Sequence, residues 1–392
     1  MAPSQPLPEL PDALVSTLSS ITLTIQLINT PSSEVSTSVA TAPNYAAVPL
    51  YTFLADFANL VKAHATKLGL ISNPPIAAST YPAIARILVD LRENIPAASS
   101  APHIASKERY GSITHDAVVN GMVDLLRGVE EMLQAIQSNI SEGNTATPGG
   151  AGGNDPTKSP YTSTGQIWFS ADNLLAISQK HLIGLVESKL QSHADMLNDC
   201  IAEFKEWVTD AAEELDGEDS GFDEDESQSS SIHADLGLDD DDDFFGIEGK
   251  EKPKVTKEVL AIAEATQKKL KLTSILYTAV MKRRVKDPAT RLGGVFSTKA
   301  KGTEDGKEYS VEKEKDIDRL ERIVEISKKL VEKADDLAAG FYDGDNTDDI
   351  TELRSDFVET AAELAKACQL GGDGTDDAPS AWFGKFLENV RA

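Results

Sequence analysis

Apolar residues return every three or four positions along most of this 392-residue chain, and no segment alternates polar and apolar residues as a half-buried strand does. The clearest run is Ile317, Leu320, Val324, Ser327, Val331, Ala334 and Ala338. Ile323, Leu330 and Leu337 widen that stripe to a bundle face, broader than a two-stranded seam. Ile350, Leu353, Phe357, Ala361, Leu364 and Cys368 repeat the pattern one helix later. The same spacing predicts helices over roughly 11–29, 46–70, 83–94, 106–137, 164–173, 178–215, 256–285 and 380–390. Ser178 and Thr256 suit helix starts, Pro49 and Pro82 suit first turns, and Gly69, Pro96 and Gly371-Gly372 suit stops. Only 6% of residues are aromatic, which argues further against a β-sandwich. The expected class is all-α: two antiparallel helical bundles joined by a disordered acidic linker.

The linker is read from charge. The chain carries 64 acidic and 37 basic residues, a net of -27, and residues 213–248 alone hold 16 acids and no base. Such a segment repels itself and has little apolar surface to bury. The expected organisation is an N-terminal bundle at 10–212 with a flexible loop at 141–163, the linker at 213–252, and a C-terminal bundle at 253–392. The acidic total excludes an overall basic footprint for nucleic acid, so no direct nucleic-acid binding is expected. No uninterrupted run of 18 apolar residues occurs, so no membrane insertion is expected either. Two cysteines, Cys200 and Cys368, make no disulfide framework, and the N-terminus shows no basic segment leading into an apolar one. Both features suit an intracellular protein.

Few residues point to chemistry. His193 and Cys200 lie seven apart on one expected helix that also holds His181, but a zinc site needs three or four ligands and no second cluster accompanies them. Asp343-Gly-Asp-Asn-Thr-Asp-Asp349 resembles the start of a calcium loop. Its sixth position is Asp348 where glycine is required, and its twelfth is Arg354 where glutamate is required. No phosphate loop, serine elbow or kinase signature occurs. The expectation is a non-enzymatic protein with no cofactor and no metal.

Three features suggest interaction and regulation. Phe222, Phe244, Phe245 and Ile247 are apolar anchors inside the acidic run, placed either to dock on a partner or to settle on the chain's own bundle. Lys282, Arg283, Arg284 and Lys286 form a basic run at a helix end, suited both to nuclear import and to the helix C-terminal dipole. Ser220, with Asp223 three residues on, fits an acidophilic kinase. Phosphate there would strengthen a salt-sensitive clasp between the acidic run and residues 250–301, which hold 14 bases and 4 acids; the alternative is a solvated spacer that engages neither neighbour.

Three stretches carry a family resemblance. They are Gly111-Ser-Ile-Thr-His-Asp-Ala-Val-Val-Asn-Gly-Met-Val-Asp-Leu-Leu126; Thr164-Gly-Gln-Ile-Trp168 with Ala171, Leu174 and the helix running to Trp207; and Leu320-Glu-Arg-Ile-Val-Glu-Ile-Ser327 with 335–338 and Tyr342. In these the chain resembles the Grap2 and cyclin-D-interacting protein family, in order over most of residues 45–390. The resemblance implies helical bundles in the style of vinculin and α-catenin, and protein partners among cell-cycle and transcription regulators such as cyclins and helix-loop-helix factors. It also implies a cytoplasmic and nuclear location. The Pro/Gly spacer at 141–164 and the Ser/Thr-rich N-terminal region depart from the animal members. The alternative reading is a cytoskeletal or adhesion scaffold.

Overall fold

The computed structural model describes residues 9–30, 48–74, 76–143, 160–219, 255–287, 311–372 and 374–392. Among these every regular element is helical: α1 (Leu10–Asn29), α2 (Leu50–Ile71), α3 (Tyr81–Asn94), α4 (Ala101–Ile104), α5 (Lys107–Gly143), α6 (Pro160–Asp219), α7 (Lys257–Val280), α8 (Val311–Asp343), α9 (Thr347–Ala367) and α10 (Ser380–Arg391). A π-helical turn, Met281–Lys286, extends α7. The stripe from Ile317 to Ala338 is buried throughout, as its spacing requires.

The chain folds as two compact units. The first is Met1–Ser188 with Gly293–Glu321, and the second is Lys189–Leu292 with Arg322–Ala392. The division therefore falls inside α6 and α8, where charge had suggested boundaries at 212 and 253. Leu190, Leu197, Phe204, Val208 and Ala211 continue the buried stripe of α6 up to the acidic run. Loss of apolar residues marks where α6 stops contributing to a core. It does not mark where one core gives way to another.

In the first unit α1 packs against α3 and α5, and α2 against α3. By length and composition α1 could also cross a membrane, because its Ser and Thr residues interrupt the apolar run without making it polar. Here Leu14, Thr17, Ile21, Thr24 and Ile28 are in the core, and the two threonine hydroxyls donate to carbonyls one turn back, Thr17 to Ala13 and Thr24 to Ser20, each at 2.7 Å.

The first part of α6 lies close along α5 through a matched pair of sevens. A Cβ at Gly121 would sit 2.8 Å from Leu174, and one at Gly128 would sit 3.0 Å from Ile167. Position rises on one helix as it falls on the other, so the pair is antiparallel. At the other end of α5, Gly111 breaks the helix at φ 82°. The carboxylate of Glu321 then accepts from Ser112 Oγ at 2.8 Å and from the Ile113 amide at 2.9 Å, capping the helix that follows.

The sequence also placed a break in α6 near 173–178. The structure puts that break a few residues later, at His181, where φ 56° and ψ -165° interrupt the helix and the ring lies edge-on to Tyr51, with centroids 3.9 Å apart.

Candidate functional site

In the second unit the two sequence candidates for a metal pair are engaged separately. His193 Nδ1 lies 2.7 Å from Ser327 Oγ, and that hydroxyl donates to the Val324 carbonyl at 2.8 Å. With its proton on a carbonyl, Ser327 accepts from the imidazole and is not activated by it. Burial, then the charges of Lys189 and Lys328, hold the His193 imidazole below its ordinary pKa. Cys200 donates to the Ala334 carbonyl, and burial with the nearby carboxylates of Asp335 and Glu203 pushes its thiol up to about 12. Such a thiol is neither a ready nucleophile nor a ready metal ligand. Among the described residues no group of three or more His, Cys, Asp or Glu side chains is placed to hold a metal ion.

The basic run is not a uniform basic face. The π turn carries Arg284 to complete burial, where Nε donates to the Cys368 carbonyl at 2.7 Å and Nη2 to the Gln369 carbonyl at 2.9 Å and to Asp377 Oδ1 at 2.8 Å. Nη1 reaches the second Asp377 oxygen, completing a two-point pair. The guanidinium also lies over Phe383, 5.3 Å from the ring centroid. Hydrogen bonds from Arg284 hold the Asp377 carboxyl below its ordinary value. Arg284 thus closes the end of α9 and joins it to the start of α10. The sequence assignment of Arg284 to an import face is corrected accordingly: fixed dipoles of exposed carbonyls and one carboxylate draw it inward. Arg283 is half-buried with its guanidinium over Trp382, and Lys282 and Lys286 are exposed.

The calcium-loop resemblance resolves into two helix caps. Gly344 takes φ 75°, with its amide donating to the Phe341 carbonyl at 3.4 Å and the Asp345 amide to Gly340 at 2.9 Å, the paired bonds that end α8. Asn346 Oδ1 then accepts from the Asp348 and Asp349 amides, each at 3.0 Å, and starts α9.

That turn forms one wall of a cleft of about 560 Å³, the second wall being the end of α6 and the third the start of α7. Trp207, Phe341 and Tyr342 supply its aromatic surface. Phe204 lies behind them, 5.1 Å from Phe341 and 5.8 Å from Trp207 between ring centroids. Asp210, Glu214, Glu258 and Asp345 supply exposed carboxylates, and among the described residues no Lys, Arg or His lines the space. Burial first, then the nearby Cys200 and the carboxylates of Glu203 and Asp335, pushes the Tyr342 phenol up to about 12, so it stays a neutral hydroxyl at the lip of the cleft. The helix starts at the cleft are already satisfied: Thr256 Oγ1 accepts from the Val259 amide at 3.2 Å, and Asn346 caps α9. What remains for a ligand is aromatic surface beneath four carboxylates.

Sequence reasoning missed this cleft. Its residues come from four helices, α6 to α9, and from positions up to 143 apart, Trp207 to Ile350. The one local signal, Trp207 four residues after Glu203 and three before Asp210 near the end of an acidic helix, is common on solvated helices. Phe222, Phe244, Phe245, Ile247 and Ser220, singled out from the sequence, lie outside the described residues, as does most of the proposed linker.

Comparison with known proteins agrees with the three motif stretches. The model described as Grap2 and cyclin-D-interacting, N-terminal matches residues 54–210, and its C-terminal counterpart matches residues 238–366. An uncharacterized protein of Schizosaccharomyces pombe is 24% identical over 341 residues, covering 86% of this chain and 83% of the relative. With the two family halves matched in order across most of its length, this chain belongs to the Grap2 and cyclin-D-interacting protein family.

Proposed function

We propose that the protein is a non-enzymatic regulator that works by binding other proteins, namely cyclin or helix-loop-helix-type partners in cell-cycle and transcriptional control. The observation that carries the reading is the match to both halves of a family whose description names protein partners. The all-helical architecture is consistent with it, since bundles offer broad side-chain surfaces. A cytoplasmic and nuclear location belongs to the same proposal, with Lys282 and Lys286 as the exposed remnant of the basic run.

The direct test is binding of the purified full-length chain to a purified cyclin of the source organism, read by calorimetry. Saturable one-to-one binding supports the reading. Absence of binding to cyclins and helix-loop-helix proteins, with saturable binding to actin or junction components, would replace it by the scaffold reading. A tagged chain excluded from the nucleus through the whole cell cycle would remove the nuclear half of the proposal.

A further inference from the structure

We infer that the cleft between the end of α6, the start of α7 and the α8–α9 turn receives lysine and arginine side chains from a basic segment of a partner protein. The inference rests on the interaction role proposed above but not on the partner being a cyclin.

The first support is the match between the cleft's two kinds of surface and the two parts of a long cationic side chain. Trp207 and Tyr342 have ring centroids 5.9 Å apart at 56° to each other, and Trp207 and Phe341 are 5.6 Å apart at 55°. Tilted rings of this kind present faces to one space. Methylene stems of lysine or arginine bury well on such faces, and the charged head gains from the ring quadrupole. Phe341 is buried, Trp207 half-buried and Tyr342 exposed, so the aromatic surface grades from a fixed floor to an open lip.

Charge is the second support. Asp210 and Glu214 come from α6, Glu258 from the first turn of α7, and Asp345 from the α8–α9 turn. None of these four forms an ion pair within the described structure, and they stand on three separate elements around the rings. Glu258 lies in the first turn of α7 and Asp345 directly precedes the α9 cap Asn346, so helix dipoles account for two carboxylates; Asp210 and Glu214 lie late in α6, away from any helix start. An apolar partner segment would leave the rim carboxylates facing it, and an acidic one would be repelled. A basic segment with two or more cations satisfies both rim and floor. The volume of about 560 Å³ suits one or two long side chains, not a folded helix.

The test uses the full-length protein and a fluorescein-labelled peptide of alternating lysine, arginine and glycine, with a second peptide in which citrulline and acetyl-lysine replace the cations. The acidic run at 213–248 will attract any cationic peptide, so the comparison between variants is what decides. Asp210→Asn combined with Glu214→Gln and Glu258→Gln changes only exposed side chains and leaves the acidic run nearly intact. This variant is expected to bind the cationic peptide about five- to tenfold more weakly, and with a shallower salt dependence. Trp207→Leu is expected to weaken binding by a similar factor without changing the salt dependence, because it removes stem and ring contacts but no charge. If Trp207→Leu unfolds the chain, Tyr342→Leu at the exposed lip provides the same reading. Equal affinity of wild type and rim variant would place all binding on the acidic run and overturn the inference. So would equal binding of the uncharged peptide, or no binding by wild type. A chain that binds the peptide through the cleft but no cyclin would leave this inference standing and remove the proposed partner, so the two fail separately.

Discussion

At the scale of single residues, two side chains are held where their chemistry is least comfortable, and each can be tested. Arg284 is a buried cation whose charge is met by Asp377 and two carbonyls. Arg284→Ala would leave Asp377 and the end of α9 without that partner, and is expected to cost about 3 kcal/mol or more in urea unfolding. Arg284→Lys should recover little, since one ammonium cannot reproduce a two-point pair and a third donor direction. The pair also sets an acid limb. Asp377 has a folded pKa below its ordinary 3.8, so its contribution is complete above that value and is lost as pH falls through the lower folded one. Stability of the wild type should therefore drop more steeply below pH 3.8 than that of Arg284→Ala, as read from urea midpoints. His181 is the second case. Its φ of 56° with ψ of -165° lies in a region essentially reserved for glycine. His181→Gly and His181→Ala both lose the contact with Tyr51, but only glycine relieves the backbone. The glycine variant should be the more stable by about 1 kcal/mol, the reverse of the usual helix order. Alanine proving the more stable would show that no strain is stored there.

At the scale of elements, the helices were legible in the sequence because burial follows a period of 3.6, and the stripe from Ile317 to Ala338 needed no tertiary knowledge. How the helices approach one another was much less legible. Gly121 and Gly128 look like ordinary helix-weakening residues until Leu174 and Ile167 are seen filling the space above them. The motif stretches that carried the family resemblance are largely this contact, joined by the Glu321 cap on Ser112 and Ile113. They report packing, which explains why they offered no catalytic signature. The role of Gly121 gives a signed prediction. Gly121→Val places branched carbons where a Cβ alone would be 2.8 Å from Leu174, and should destabilise by about 2 kcal/mol. Adding Leu174→Ala to it should cost less than the sum of the two single changes, because the second opens the space the first needs. At Gly384 in α10 an added Cβ meets nothing within 4 Å. Gly384→Ala should accordingly stabilise by about 0.5–1 kcal/mol through helix propensity alone. Thermal unfolding of Gly121→Val, Leu174→Ala, their combination and Gly384→Ala checks both signs together.

At the scale of the whole molecule, composition locates the acidic run, and the packing of the helices groups residues on a different basis, 1–188 with 293–321 and 189–292 with 322–392. Charge density measures what a segment cannot bury, whereas a unit is defined by what its helices bury together, and the two need not end at the same residue. The buried stripe of α6 shows the difference: Leu197, Phe204, Val208 and Ala211 lie before the acidic run, yet belong with residues 322–392. The rings make the dependence specific. Phe204 and Trp207 both pack on Phe341, and Cys200 donates to the Ala334 carbonyl of α8. A fragment of residues 253–392, the autonomous bundle expected from charge, would therefore expose the face of α8 that carries Ala334 and Phe341. Burial of large aromatic side chains supplies a few kilocalories each, about 1.5–3 kcal/mol, against a total domain stability of only about 5–15 kcal/mol. Losing Phe204, Trp207 and the aliphatic residues between them should be enough to abolish cooperative folding. The 253–392 fragment is expected to melt without a sharp transition and to bind a hydrophobic dye, as partly packed helices do. A fragment of 189–392, which restores the second half of α6, should melt cooperatively and bind little dye. Equal, sharp transitions for the two fragments would show that the bundle is complete without α6, and that charge had marked its boundary after all.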